Sequence, residues 1–158
     1  MRWVYMTMKI RKINSSECDL VADLFDRYRM FYRQPSDPAL ARKYIQARLD
    51  NNESTIFVAL VEGTPVGFTQ LYPYYSSIRA AKNWILNDLY VDRVYRKQKI
   101  GEALMQTAMD FARQEGAAFM ELQTAKDNLV AQGLYEKLGF MKQQPASDFY
   151  TYRIMIIQ

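Results

Sequence analysis

Residues 96–103 read Arg-Lys-Gln-Lys-Ile-Gly-Glu-Ala, and Arg93, Arg96, Lys97 and Lys99 fall within one short turn. A strand-like run over residues 84–91 precedes this turn, and a helical pattern follows it. A helix N-terminus offers unpaired backbone N–H groups and a partial positive charge, so it holds anions readily. Gly101 has no Cβ and lets a ligand come close to the backbone. Arg96 can grip a phosphate through its planar fork, and Lys97 and Lys99 can act as point charges. A solvated basic surface turn is the alternative reading of the same residues. Neither a GxGxxG nor a Walker-type loop is present, so dinucleotide and nucleoside-triphosphate readings are weak.

The remaining chemistry is bounded by what is missing. The chain has no histidine. That excludes His-based triads, His general bases and His metal ligands, and no metal is expected. Proton transfer must use carboxylates, tyrosine, lysine, cysteine, water or backbone. Cys18 is the single cysteine; it excludes an internal disulfide, fits a reducing cytoplasm, and has no visible activating neighbour.

The elements that must position these groups are legible in the pattern. Residues 8–13 alternate as a strand. Asn14, with Glu17 three residues on, forms a capping-box signature for a helix running to about residue 33. Pro35 and Pro38 break it, and Ser36 or Asp37 can cap a second helix ending at Asn51-Asn52. Residues 55–61 and 65–74 read as a hairpin turning at Glu62-Gly63 or Gly63-Thr64. Residues 82–92 form a largely apolar strand, which predicts a central, two-sided position. A helix over about 100–115 carries Ile100, Ala103, Leu104, Thr107, Ala108 and Phe111 on one face and stops at Gly116. A strand over 119–124, a short helix over 128–138 with Gly139 behind it, a loop over 144–148 and an alternating strand over 149–156 complete the order.

This order predicts a mixed α/β (α+β) domain with one central sheet flanked by helices, its 84–124 segment forming a parallel βαβ unit. The 158 residues suit a single domain spanning 1–158. The first twelve residues have charge on both sides of their apolar positions and no clear cleavage site, so they do not read as a signal peptide. The apolar runs fall far short of the roughly 18 residues a membrane span needs.

Two segments together resemble the GCN5-related N-acetyltransferases (GNAT). One is the strand followed by Arg96-Lys97-Gln98-Lys99-Ile100-Gly101-Glu102-Ala103. It is similar to the family's Arg-x-x-Gly-(Ile/Val)-Gly-x-(Ala/Gly) motif. The other runs from Asn128 through Ala131, Leu134 and Tyr135 to Gly139-Phe140. The close match covers about residues 84–140; the N-terminal half agrees in element order. The resemblance implies acetyl-CoA as the acyl donor and coenzyme A as product. It implies that the backbone of Leu89, Tyr90 and Val91 pairs with the pantetheine arm. The N–H groups from Lys97 to Glu102 would hold the pyrophosphate, and Asn128 would contact the cofactor arm. Tyr135 would protonate the departing thiolate. By residue type alone Tyr135 reads equally as a core aromatic. The departure from the motif is Lys99, where the family has its first glycine; if that position needs positive φ, lysine costs about 1 kcal/mol or more.

Amine acetylation by direct attack in a ternary complex needs a neutral amine, a base or water chain, and an N–H for the oxyanion. Related small-amine enzymes carry a glutamate on the strand before the loop. Asn87 takes that position here and cannot accept a proton. Asp88 is adjacent, but strand alternation sends it to the opposite face, so a structural hydrogen-bonding role is the expectation. Glu121, on the neighbouring strand, is another carboxylate.

Tyr28, Phe31 and Tyr32, and Tyr72, Tyr74 and Tyr75, cluster at two places. They are either core and surface tyrosines or an aromatic wall for an amine and its carbon chain. Tyr28, Tyr32, Tyr72 and Tyr74 are the candidate acceptor contacts. The expected acceptor is a small primary amine such as a polyamine or amino-acid derivative, with a protein lysine or N-terminal amine as the alternative. A non-catalytic acyl-CoA-binding module is a rival of another class. Nucleic-acid binding through the 93–99 patch is disfavoured, because 17 acidic residues offset 21 basic ones. An aromatic, apolar final strand at a sheet edge would invite pairing with a second copy, making a homodimer a candidate assembly.

Overall fold

The computed structural model describes residues 6–144 and 149–156. The chain divides into two compact units, Met1–Gln123 and Thr124–Gln158. The anticipated loop over 144–148 lies, past its first residue, outside the described residues, as do the first five residues of the N-terminal segment.

The first unit is a five-stranded sheet in the order β1-β2-β3-β4-β5. The strands are β1 (Met8–Lys12), β2 (Thr55–Val61), β3 (Thr64–Ser76), β4 (Ala81–Val91) and β5 (Met120–Glu121). The first four pair antiparallel, and β5 joins β4 in parallel. The β2–β3 hairpin turns on Glu62 and Gly63, whose φ angles are 48° and 78°. Positive φ at both positions is the turn geometry that matches the twist of paired strands.

Asn14 starts the helical region as expected. Its side chain accepts from the Ser16 N–H, and Glu17 reaches back to the Asn14 N–H. The anticipated single helix is instead two pieces, a 3-10 segment Ser15–Leu20 and α1 (Ala22–Phe31). Asp37 caps α2 (Pro38–Asp50), with proline in its first turn. Buried Asp26 fixes the α1–α2 connection: its carboxylate accepts from Ser36 Oγ at 2.7 Å and the Asp37 N–H at 2.8 Å.

Alternation along the strands separates two apolar layers. Ile56, Val58 and Phe68 pack with Val21, Leu24 and Phe25 of the first helical region and Ala41 and Ile45 of α2. On the other face, Phe57 and Trp84 meet Phe111 of α3 (Ile100–Gln114), with ring centroids 5.6 and 5.0 Å apart. The buried stripe of α3 is Ile100, Leu104, Met105, Ala108 and Ala112. The most enclosed strands are β2 and the middle of β3, whereas β4 is only half-buried over its last three residues. The anticipated central position of β4 thus holds for its first part.

The anticipated strand over 119–124 shortens to β5. Asn83 fixes its approach, accepting the N–H groups of Ala118 and Phe119 through Oδ1. The pairing with β4 covers Trp84↔Met120 and Ile85↔Glu121. The second unit holds α4 (Leu129–Lys137), capped by Asn128 Oδ1 on the Ala131 N–H and closed by Gly139 at φ 97°. The anticipated strand over 149–156 is not formed: these residues carry no strand pairing, and Phe149, Tyr150, Tyr152 and Ile154 are all exposed. Alternation makes a segment suitable for a sheet but does not supply the partner its backbone needs.

Gly67 of β3 sits where α3 comes nearest the sheet. A Cβ there would lie 2.9 Å from the Tyr90 carbonyl oxygen and 3.3 Å from Leu104 Cδ1. Gly67→Ala is expected to lower the unfolding free energy by about 1–3 kcal/mol, read as a reduced urea midpoint at unchanged slope.

Candidate active site

Register along β4 breaks once. Gln70 faces Asp88, but Leu71 faces Leu86, so Asn87 is an extra residue with no partner on β3. This bulge reverses the side-chain alternation. Trp84 packs with Phe111 of α3, whereas Tyr90, six positions on, packs against the α1–α2 layer. Without the bulge, even spacing would put both on one face.

The consequence corrects the expectation for Asp88. Both Asn87 and Asp88 line one cavity of about 360 Å³, together with Phe25, Tyr28, Arg29, Leu40, Tyr44 and Tyr72. Its volume falls in the range typical of small-molecule sites. Asp88 is 3% exposed. Its carboxylate accepts from Gln70 Nε2 and from Asn87 Nδ2, the latter at 2.7 Å. Gln70 is held from behind by Ser54, whose Oγ donates to Gln70 Oε1 at 2.8 Å. Burial pushes the Asp88 carboxyl above its ordinary range, against the hydrogen bonds of Gln70, Asn87 and Tyr28. Asp88 is thus a buried carboxyl held by side-chain hydrogen bonds.

The opposite wall is aromatic. Phe25 stacks between Tyr28 and Tyr44, with centroids 6.1 and 5.4 Å away. Tyr44 and Tyr72 share a hydroxyl contact of 2.7 Å. Burial, then the bond to Tyr44, pushes the Tyr72 phenol far above its ordinary value, so it stays neutral. Arg48 lies over the Tyr44 ring at 4.4 Å. Of the four tyrosines selected from the sequence, Tyr28 and Tyr72 line the cavity. Tyr32 stands behind Tyr28, ring to ring at 5.0 Å, and Tyr74 packs on Phe119 at 6.1 Å. Phe25, Arg29, Leu40 and Tyr44 were missed. Leu40 and Tyr44 share one α2 face at i, i+4, a pattern visible in the sequence; nothing in the sequence marked Arg29. Exposed Glu121 is not among the lining residues.

The basic turn lies in the same unit. Beyond Ile85, β4 has no partner on its β5 side among the described residues, which leaves the Leu89, Tyr90 and Val91 backbone accessible along that edge. Arg96 Nε donates to the Val91 carbonyl at 2.9 Å, with the guanidinium 5.5 Å from the Tyr90 ring. Arg96 thus braces the turn. Lys97 and Lys99 both take φ of 63°, and α3 begins with no side-chain cap. Its first-turn N–H groups, Ile100 and Gly101 among them, face outward from the helix end. Lys97, Gln98 and Lys99 are exposed, and Ile100 is buried beneath them. At Gly101 an added Cβ would meet nothing nearer than Val91 Cγ2 at 3.8 Å, and its φ is not positive. Neither packing nor backbone conformation requires a glycine there. A splayed strand edge followed by an uncapped helix start fits a pantetheine arm ending in a pyrophosphate.

In the second unit, Asn128 uses its side-chain oxygen as the α4 cap. Tyr135 is half-buried, with its ring 6.2 Å from that of Phe140. Cys18 is buried, its Sγ donating to the Arg42 carbonyl, and burial raises its thiol pKa. It is an inert core thiol.

These features agree with comparison to known proteins. The chain matches the acetyltransferase (GNAT) family over residues 20–140 and belongs to that family. It is 44% identical over 133 residues to the uncharacterized N-acetyltransferase YhfO of Bacillus subtilis, covering 84% of this chain and 89% of that one. It is 31% identical over 105 residues to a probable acetyltransferase of Haemophilus influenzae, covering 66% of this chain and 72% of that one. Among solved structures, a probable acetyltransferase superposes with a TM-score of 0.85 at 39% identity, covering 95% of this chain and 99% of that one. An aminoglycoside N-acetyltransferase in complex with CoA shares the fold, with a TM-score of 0.77 at 18% identity over 98% of this chain and 100% of that one. The protein is an N-acetyltransferase, and the family uses acetyl-CoA as cosubstrate.

Two outcomes are expected. Left-handed backbone at Lys99 costs about 1–2 kcal/mol, and glycine's greater unfolded-state freedom offsets part of it. Lys99→Gly should raise the unfolding free energy by about 0.5–1 kcal/mol in urea titration. Asp88 has a folded pKa above its unfolded one, so stability falls as pH rises from the unfolded value of 3.8 toward the folded value. Asp88→Asn removes this dependence. Its stability relative to wild type should therefore be more favourable at pH 7 than at pH 4.

Proposed function

We propose that this protein transfers the acetyl group of acetyl-CoA to a small primary amine held in the 25–88 cavity, by direct attack in a ternary complex. The observation that carries the reading is the β4 bulge, which puts Asn87 and Asp88 on the cavity wall beside the splayed strand edge. When bound, acetyl-CoA supplies the thioester carbonyl.

The backbone of Leu89, Tyr90 and Val91 holds the pantetheine arm. The turn from Lys97 through Gly101 to Glu102 holds the pyrophosphate through N–H groups and the ammonium charges of Lys97 and Lys99. Asp88 takes the proton of the incoming ammonium, directly or through one water. Its raised pKa brings it nearer to that of the amine than an exposed carboxylate would be. Asn87 orients Asp88 through its donated hydrogen bond. Tyr28, Tyr44 and Tyr72 pack against the carbon frame of the acceptor. Tyr135 is the proposed acid for the leaving thiolate; its support is the match of the 128–140 segment to the family pattern. The unpaired Cys18 supports a cytoplasmic setting.

Calorimetry with acetyl-CoA tests the donor half. Wild type should bind at micromolar concentration. Gly101→Glu should weaken binding by at least about 10-fold with the fold intact, because a carboxylate would then occupy the anion site. No binding by wild type would sink the reading. For the chemistry, Asp88→Asn should lower kcat by about 10²–10⁴-fold and remove the acidic limb of the kcat/KM profile, with acetyl-CoA affinity unchanged. Tyr135→Phe should reduce kcat by at least about 10-fold without changing that affinity; indifference to the change would favour a non-catalytic acyl-CoA-binding module.

A further inference from the structure

Arg29 is the charged cavity residue that the proposed chemistry does not use. It sits late in α1, on the same wall as Phe25 and Tyr28. Its Nη1 is fully enclosed and has no hydrogen-bond partner among the described residues. Arg48 Nε, Asn83 Nδ2 and Trp84 Nε1 share that condition, but none of those residues lines the cavity. A guanidinium nitrogen taken out of water and left unmatched is costly. Arginine cannot relieve the cost by losing its proton.

The other walls do not neutralise it. Leu40 and Phe25 are apolar, Tyr44 and Tyr72 are hydroxyl-paired with each other, and both Asp88 oxygens already accept hydrogen bonds from Gln70 and Asn87. A guanidinium in the wall of an aromatic cavity matches a carboxylate in both charge and shape. A second ammonium on the ligand would instead meet a like charge.

We infer that the acceptor is an amino acid with an apolar side chain, whose α-carboxylate pairs with Arg29 while its amine faces Asp88 and Asn87. This rests on the acetyl-transfer reading of the same cavity. It separates the two acceptor types considered from the sequence, favouring the amino acid over the polyamine.

The test is a steady-state panel with acetyl-CoA: leucine, methionine and phenylalanine, their amides, their decarboxylated amines, and spermidine. Wild type should acetylate at least one free amino acid with kcat/KM about 10–100-fold above its amide and amine. Arg29→Gln should raise KM for that amino acid by a similar factor and erase the preference over the amide, with Arg29→Lys intermediate. Loss of discrimination is a readout that a purely structural role would not move, and thermal melting of both variants controls for folding. Equal turnover of amide and acid, preference for spermidine, or no turnover of any panel member by an enzyme that binds acetyl-CoA would each overturn the inference. Failure of wild type to bind acetyl-CoA at all would instead overturn the acetyl-transfer reading.

Discussion

One inserted residue organises this site. Asn87 has no partner on β3, and its insertion reverses the facing of everything after it on β4. The first half of the strand gives Trp84 to the α3 layer; the second half gives Tyr90 to the α1–α2 layer. At the crossover, two consecutive side chains line one cavity. A regular strand would have offered either Asn87 or Asp88, never the hydrogen-bonded pair.

The same strand carries the splayed edge. β4 holds β5 at Trp84 and Ile85; beyond them it stays paired with β3 to Val91 but has no partner on the β5 side among the described residues. The chain then turns through two left-handed lysines into an uncapped helix. Several constraints keep that turn in place. The Asp92 N–H donates to Val66, Arg27 pairs with Asp92 at 2.6 Å, and Arg96 returns to Val91. Gly67 lets α3 settle against the sheet just behind it. Backbone strain at Lys97 and Lys99 is thus held by contacts distributed over β3, β4 and α1, as strain at functional turns usually is.

Charge in the acceptor cavity is arranged by burial more than by ion pairing. Burial raises the Asp88 pKa against hydrogen bonds from two neutral amides and the Tyr28 phenol. Gln70 is rigid because Ser54 holds its other end. Tyr44 and Tyr72 satisfy each other and remain neutral. In the same wall, Arg29 Nη1 is enclosed without a hydrogen-bond partner among the described residues.

Much of this was present in the sequence. The absence of histidine left proton transfer to carboxylates, tyrosine, lysine, cysteine, water or backbone, and the order of elements gave the mixed sheet. Glu62-Gly63, Asn14–Glu17 and Asp37-Pro38 fixed a hairpin and two helix starts through local backbone chemistry, which is why they could be read without the fold. The spacing of Arg96, Gly101, Asn128, Tyr135 and Gly139 pointed to the family. Tertiary structure decided the rest. Period-two alternation has no way to announce a bulge, so Asp88 reads as outward-facing until its pairing with Gln70 is known. The alternating 149–156 segment reads as a strand because its side chains suit one, yet strands form only where another backbone completes the hydrogen bonds. Arg29 looks like an ordinary helix-surface arginine, and the enclosure of its Nη1 shows only in the folded chain. Residue types and local spacing determined which chemistry was available; only packing across distant segments decided which groups meet.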